Sequence, residues 1–266
     1  MLAGLIFAVQ EADDRPGTLA ATLPFAGMTV VEYQARLLIA GGAAQIVVVV
    51  ARVTPELLGA VARIGRRGVT VDTVRSAAEA AARLHPLSHL LVLADGLVTT
   101  DAILHPIARE GGDVLLVAAE DEADAAYELI GGGDAWAGIA RLDGRHLGDV
   151  AAMPRDYDVQ SALLHVAAQS GALRLQMPDD ERGAGHGIER RRDTLETRSR
   201  AVVSAAVASR SGWFQRWIVR PVAKLCLPAL MRRHVPTAAM AAGAAIVSLG
   251  GLATLWAGQA AVGLLL

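Results

Sequence analysis

From Val235 to Leu266 the chain carries no Asp, Glu, Lys or Arg. Within that stretch, Ala238 to Ala257 (AAMAAGAAIVSLGGLATLWA) is long enough to cross a bilayer core, which takes roughly 20 apolar residues. A soluble core helix of that length with no polar face is uncommon, so a transmembrane helix is predicted over 235–266. Gly243, Gly250, Gly251 and the many alanines suit close helix–helix packing in lipid, so a homodimer through this span is an expected partner arrangement. The preceding segment, SGWFQRWIVRPVAKLCLPALMRRH, interleaves Trp213, Phe214, Trp217, Ile218, Leu225 and Leu230 with Arg216, Arg220, Lys224, Arg232 and Arg233. A basic, aromatic, amphipathic helix of this kind lies in the membrane interface, with Pro221 and Pro228 breaking its course.

The net charge of -2 hides a segregation. The last acidic residue is Glu196, and every charged side chain after it is basic. Membrane lipid with acidic headgroups is therefore the expected partner of the tail, rather than nucleic acid. The basic residues lie on the N-terminal side of the span, which places residues 1–234 in the cytoplasm and the chain in the inner (cytoplasmic) membrane. The apolar run before Gln10 is too short for a secretory signal. Cys226 is the only cysteine, so no internal disulfide or cysteine-based metal site can form.

The first part of the chain alternates short apolar runs with helical patterns. Leu5–Val9, Gln45–Ala51, Val69–Val74, His89–Ala94 and Val114–Ala118 read as strands, with helices at Thr29–Ala40, after Thr54, at Ser76–Leu84 and after Thr99 or Thr100. QIVVVVA is a continuous β-branched run, as expected for a parallel strand buried on both faces. Thr54-Pro55 combines a capping hydroxyl with a proline at the first helical position. Ala135–Leu142, Val159–Ser170 and Leu173–Met177 complete the pattern as strand, helix and strand. This rhythm predicts an α/β fold with a doubly wound, mostly parallel sheet over residues 1–178. The polar, charge-dense residues 179–193 read as a linker, 194–234 as a basic amphipathic helical segment and 235–266 as the span.

Ligands of such sheets bind at the carboxyl ends of the strands. Two stretches fall there: Gln10–Gly27 after the first strand, and Asp95-Gly96 after the fourth. An Asp at the end of a central strand is placed to hold a hard divalent cation bridging phosphates, although Asp-Gly is also ordinary turn chemistry. Asp156 and Asp158 precede a helix, where capping accounts for one of them. Arg190-Arg191-Arg192 reads as a solvated or lipid-facing basic run.

With these residues in view, the stretch LPFAGMTVVEYQARLLIAGGAAQIVVVV, followed by LVLADG, resembles the nucleotidyltransferases that act on sugar phosphates, inositol phosphates and the molybdenum cofactor. Leu23, Pro24, Gly27 and Glu32 match that family's Leu-Pro-x-x-Gly-x-x-x-x-Glu run. The resemblance implies a nucleoside triphosphate and an alcohol phosphate as substrates and Mg2+ as cofactor. It implies Arg15, Pro24 and Gly27 at the nucleotide, Arg15 as the catalytic cation, and Asp95 with Asp158 as metal ligands. The family's loop is glycine-rich and leads to a lysine, whereas here it reads Gln10-Glu11-Ala12-Asp13-Asp14-Arg15 and no lysine precedes Lys224. The tail resembles the lead-in of CDP-alcohol phosphatidyltransferases through Gly212, Trp213, Arg216, Arg220, Pro221 and Val235-Pro236-Thr237, without that family's Asp-rich signature. Two functions are expected: a membrane-tethered nucleotidyltransferase of phospholipid or headgroup synthesis, or a non-catalytic nucleotide-fold module anchored at the membrane.

Overall fold

The computed structural model describes residues 1–85, 87–109, 111–154, 157–178 and 185–209. The interfacial helix and the membrane span expected from the sequence lie outside these residues. Among the described residues no helix is long and apolar enough to cross a membrane.

The chain begins with β1 (Leu2–Ala8), followed by two small hairpins, β2 (Glu11–Ala12) with β3 (Arg15–Leu19) and β4 (Pro24–Phe25) with β5 (Met28–Thr29). Then come α1 (Val30–Ala40), β6 (Gln45–Val50), α2 (Pro55–Gly65), β7 (Thr70–Val74), α3 (Ala77–Arg83), β8 (His89–Leu93), β9 (Leu97–Val98) and α4 (Asp101–Arg109). The later elements are β10 (Val114–Ala119), β11 (Glu128–Gly131), β12 (Asp134–Asp143), α5 (Arg145–Ala151), α6 (Val159–Gln169), β13 (Leu173–Gln176), β14 (Gly187–Ile188) and α7 (Arg192–Ser209).

One mixed sheet runs in the order β13-β10-β12-β8-β1-β6-β7, with β11 paired to β12. The pairs β1–β6, β1–β8, β6–β7 and β10–β13 are parallel. β12 runs antiparallel to both β8 and β10. The connection agrees with this: only a single 3-10 turn at Glu120–Glu122 and β11 lie between β10 and β12, with no α-helix, whereas a parallel return usually crosses over through one. Strand order reverses at β1, which lies between β6 and β8, so the crevice beyond the carboxyl ends of β1 and β8 is the sheet's switch point.

The helices start where the sequence places their caps. Thr54 Oγ1 accepts from the Leu57 N–H at 3.2 Å, and Ser76 Oγ accepts from the Glu79 N–H at 3.2 Å. Glu32 accepts from the Thr29 N–H at 3.0 Å and the Thr29 hydroxyl at 2.7 Å. It also takes a two-point contact from Arg63, with Nε to Oε1 at 2.7 Å and Nη2 to Oε2 at 2.9 Å, which ties α1 to α2. That guanidinium holds the Glu32 carboxyl down at about 2 despite the opposing effect of burial. Glu32, matched to the family run by sequence, is therefore a clasp between two helices. Ala26 and Gly27 both have positive φ, +48° and +80°, and make the two-residue turn of the β4–β5 hairpin.

The compact unit extends from Met1 to Ala208 and so takes in part of the expected linker and the start of the expected amphipathic segment. Residues 185–192 form a strap across the body. β14 pairs antiparallel with β9, and the Glu189 N–H donates to the Gly96 carbonyl at 2.9 Å. His186 is buried, with Nε2 bonded to the Ala137 carbonyl at 2.8 Å and Nδ1 to the Thr99 hydroxyl at 2.9 Å. Leu195 and Val202 of α7 are buried in the same core as the sheet. Charge density reads as solvation from sequence alone, but here the strap's backbone and one histidine find partners on the body.

Gly96 has φ of +75°, and a Cβ there would stand 2.6 Å from the Glu189 carbonyl oxygen. Gly96→Ala is expected to destabilise the domain by about 1–3 kcal/mol, the usual cost of a strained non-glycine backbone. It should also expose the Glu189 amide to solvent exchange while the β6 and β8 amides stay protected. Chemical denaturation with amide exchange by mass spectrometry checks both outcomes.

Candidate active site

Asp95 follows β8 and is 3% exposed. Its Oδ2 accepts from the N–H groups of Val9 and Gln10, each at 2.7 Å, so one carboxylate oxygen joins the end of β8 to the end of β1. The Asp95 N–H donates to Gln160 Oε1 at 3.1 Å, which brings in the first turn of α6. The other oxygen, Oδ1, is buried and has no hydrogen-bond partner among the described residues. Burial pushes the Asp95 carboxyl up to about 6; the two N–H donors and the charge of Arg190 oppose the rise, and Asp158 adds to it.

Asp158 is exposed and caps α6, its Oδ1 accepting from the Ser161 N–H at 2.9 Å. Asp95 and Asp158 wall the same small cavity, of about 20 Å³, together with Phe7, Val9, Gln10, Gln160 and Arg190. Two larger cavities open beside it. One, of about 550 Å³, lies beyond β1, β6 and β7 and is lined by Val9, Val50, Arg75, Ser76, Tyr157 and Asp158 among others. The second, of about 740 Å³, lies between β11 and α6 and includes Leu129, Ile130, Tyr157, Asp158, Ser161 and His165. Asp158 lines all three.

Of the residues expected at the site, the fold brings together Asp95 and Asp158. Arg15 is exposed on β3, opposite Ala12, and lines none of these cavities. Pro24 and Gly27 belong to the β4–β5 hairpin and are likewise absent from all three linings. In the loop after β1, Glu11 and Asp14 are engaged within the protein through their carboxylates and Asp13 through its backbone N–H. Glu11 pairs with Arg52 at 2.5 Å and accepts from the Gly17 N–H at 2.9 Å. The Asp13 N–H donates to the Arg190 carbonyl at 3.0 Å, and Asp14 Oδ2 accepts from the Arg192 N–H at 3.2 Å. Asp156 lies outside the described residues.

Arg190 is the residue that sequence reasoning missed. Expected in a solvated or lipid-facing run, it is half-buried at the small cavity, with its Nε enclosed and without a hydrogen-bond partner among the described residues. Nothing local marks it out from Arg191 and Arg192; its placement follows from the strap's pairing with Gly96 and Asp13. Gln160 was missed for a similar reason, since a glutamine in a first helical turn has no distinctive pattern.

No known protein family matches the chain by sequence, and no curated protein matches it. By structure it is similar to a putative glucose-1-phosphate thymidylyltransferase from Bacillus anthracis, solved in complex with a sucrose. The TM-score is 0.57, and the likeness spans 80% of this chain and 97% of that one at 11% identity. That likeness establishes the fold, a nucleotidyltransferase-like α/β fold around a mostly parallel sheet.

Because burial holds the Asp95 carboxyl near 6, its ionisation costs the folded state energy. The folded state binds the proton more tightly than the unfolded chain does, so this cost grows as pH rises from about 4 to about 6 and is constant above. Asp95→Asn is therefore expected to be at least as stable as the parent at pH 7, by up to about 3 kcal/mol, with the gap closing below pH 4. Urea unfolding of both proteins across pH 4–8 checks this outcome.

Proposed function

We propose that the protein is a nucleotidyltransferase that joins a nucleoside phosphate to an alcohol phosphate of the sugar or inositol phosphate class. The observation that carries this reading is the meeting of Asp95 and Asp158, distant in sequence, at the switch point of the sheet, with a cavity on either side of Asp158. The 550 Å³ cavity beyond β1, β6 and β7 takes the nucleotide, with Arg75 near its phosphates. The 740 Å³ cavity takes the acceptor. An oxygen of the acceptor phosphate attacks the α-phosphorus in line, the bond to the bridging oxygen breaks, and pyrophosphate leaves. Asp95 and Asp158 fix the geometry at the point where the two substrates meet.

The residues present fit a magnesium ion. Asp95 Oδ1 is buried and lacks a hydrogen-bond partner among the described residues, and Asp158 faces the same small space. No group of three or more potential metal ligands occurs among the described residues. Magnesium sites of this kind use one or two carboxylates and complete their shell with substrate phosphates and water. When bound, such an ion neutralises charge gathering on the α-phosphate. Arg15, Pro24 and Gly27 have no part in this reading, since they line none of the cavities.

The charge-free stretch 235–266 and the basic residues before it support a membrane tether for this chemistry, and with it a role in phospholipid or headgroup synthesis at the inner membrane. The competing reading, a non-catalytic nucleotide-fold module, draws support from the closed β2–β3 hairpin that stands where a glycine-rich phosphate loop would be expected.

Isothermal titration of the full chain with CTP, ATP, GTP and UTP plus magnesium distinguishes the two. One nucleotide is expected to bind, and Asp95→Asn to weaken that binding by about tenfold or more, as loss of a direct metal ligand does. Binding should also weaken as pH falls through 6, because the protonated Asp95 carboxyl is a poor ligand. Absence of nucleotide binding in the parent chain would favour the non-catalytic module.

A further inference from the structure

The strap brings Arg190 to the small cavity and is fixed on both sides of that residue. Before it, the Glu189 N–H donates to the Gly96 carbonyl at 2.9 Å, and β14 pairs with β9. At Arg190 itself the carbonyl accepts from the Asp13 N–H at 3.0 Å, and beyond it the Arg192 N–H reaches Asp14 at 3.2 Å. From the outside Arg198 of α7 clasps the strap. Its Nη1 donates to the His186 carbonyl at 2.5 Å, and its Nε pairs with the Glu189 carboxylate. These fixings hold the Arg190 side chain beside Asp95 and Asp158, and its positive charge acts on the Asp95 carboxylate.

The space left there, about 20 Å³, is that of a single water or ion. The phosphate chain of a nucleotide cannot approach Asp95 through it. Arg190 also supplies the positive charge that two facing carboxylates require. A guanidinium and a divalent cation repel each other, so the Arg190 charge beside Asp95 and Asp158 disfavours a divalent cation at the same pair.

We propose that residues 187–192 are a built-in gate. Arg190 stands beside Asp95 and Asp158 with its charge where that of a divalent cation would lie in the free protein, and the strap leaves the sheet when a metal–nucleotide complex enters. The proposal rests on the nucleotide-site reading above and extends it to regulation of that site. Arg198 is the latch: it contacts the strap but lines none of the three cavities.

The test uses the purified full chain, Mn2+ with each of CTP, ATP, GTP and UTP, and two variants. Arg190→Met removes the competing charge at similar length. Arg198→Ala loosens the strap without altering the cavity. If the strap is open a tenth of the time or less, freeing it should tighten nucleotide binding by about tenfold. Isothermal titration is expected to show that tightening in both variants. Amide exchange of the peptide covering 185–192 is expected to speed up when the parent is saturated with Mn2+–nucleotide. If nucleotide binds but the strap keeps its protection, or if Arg190→Met binds no tighter than the parent, the gate is overturned and the nucleotide site stands. If the parent and both variants bind nothing, both readings fall. Binding by the variants with none by the parent supports the gate.

Discussion

One carboxylate oxygen holds the two central strands of the sheet together at their working ends. Asp95 Oδ2 accepts the N–H groups of Val9 and Gln10, the first residues beyond β1. Parallel strands leave such groups without ladder partners where the strands end, and a buried N–H without a partner is costly. A side chain from the neighbouring strand supplies the acceptor. In doing so it turns the chain after β1 toward the β2–β3 hairpin rather than into helix, and its second oxygen stays buried without a hydrogen-bond partner among the described residues, on a residue that lines the small cavity. The same residue thus closes the fold and offers its one unsatisfied group to the site.

Around that point the molecule is assembled from segments distant in sequence. α1 supports the loop after β8 through Gln34, whose Nε2 donates to the carbonyls of Ala94 and Leu97 at 2.8 and 2.9 Å, and through Tyr33, whose hydroxyl donates to Thr99 at 2.6 Å. α6 contributes Gln160 and Asp158. The strap adds Arg190 from above, and α7 clamps the strap while burying Leu195 and Val202. Anything that moves α7 therefore acts on the strap through Arg198 and on the site through Arg190.

Most of the sheet was legible because the physics is local. The β-branched run at Gln45–Val50 admits few structures other than a buried strand, and Thr54-Pro55 and Ser76 cap helices as their side chains require. The antiparallel β12 was legible as a strand but not in its direction, which depends on what separates it from β10. Gln10–Gly27 was placed at the ligand-binding edge without a structure of its own; it folds as the β2–β3 hairpin, a 3-10 turn at Ala20–Thr22 and the first part of the β4–β5 hairpin, whose turn rests on the positive φ of Ala26 and Gly27. Asp95 and Asp158 were singled out from sequence, one from strand-end logic and one by resemblance, and their meeting at one cavity is a tertiary fact. Residues 185–192 were illegible because composition reports solubility, whereas docking depends on a glycine at 96 and hydrogen-bond partners at 13 and 14.

Two buried groups near the strap titrate in opposite senses over one pH range. His186 donates from Nε2 to a carbonyl, which can only accept, so its Nδ1 accepts from the Thr99 hydroxyl and the ring is neutral. Burial pulls its pKa down to about 4 from 6.5, so the unfolded chain binds more protons between those values and stability falls as pH drops through them. Asp95, raised to about 6 from 3.8, does the reverse: the folded state binds more protons, and stability rises as pH drops. Each effect amounts to about 3 kcal/mol. Over their common range they largely cancel, so these two groups together leave the stability of the fold nearly flat across mildly acidic pH. Under the proposed gate, the ligand that opens the strap is one that takes Asp95 Oδ1 for itself, and it must carry positive charge and bring ligands of its own.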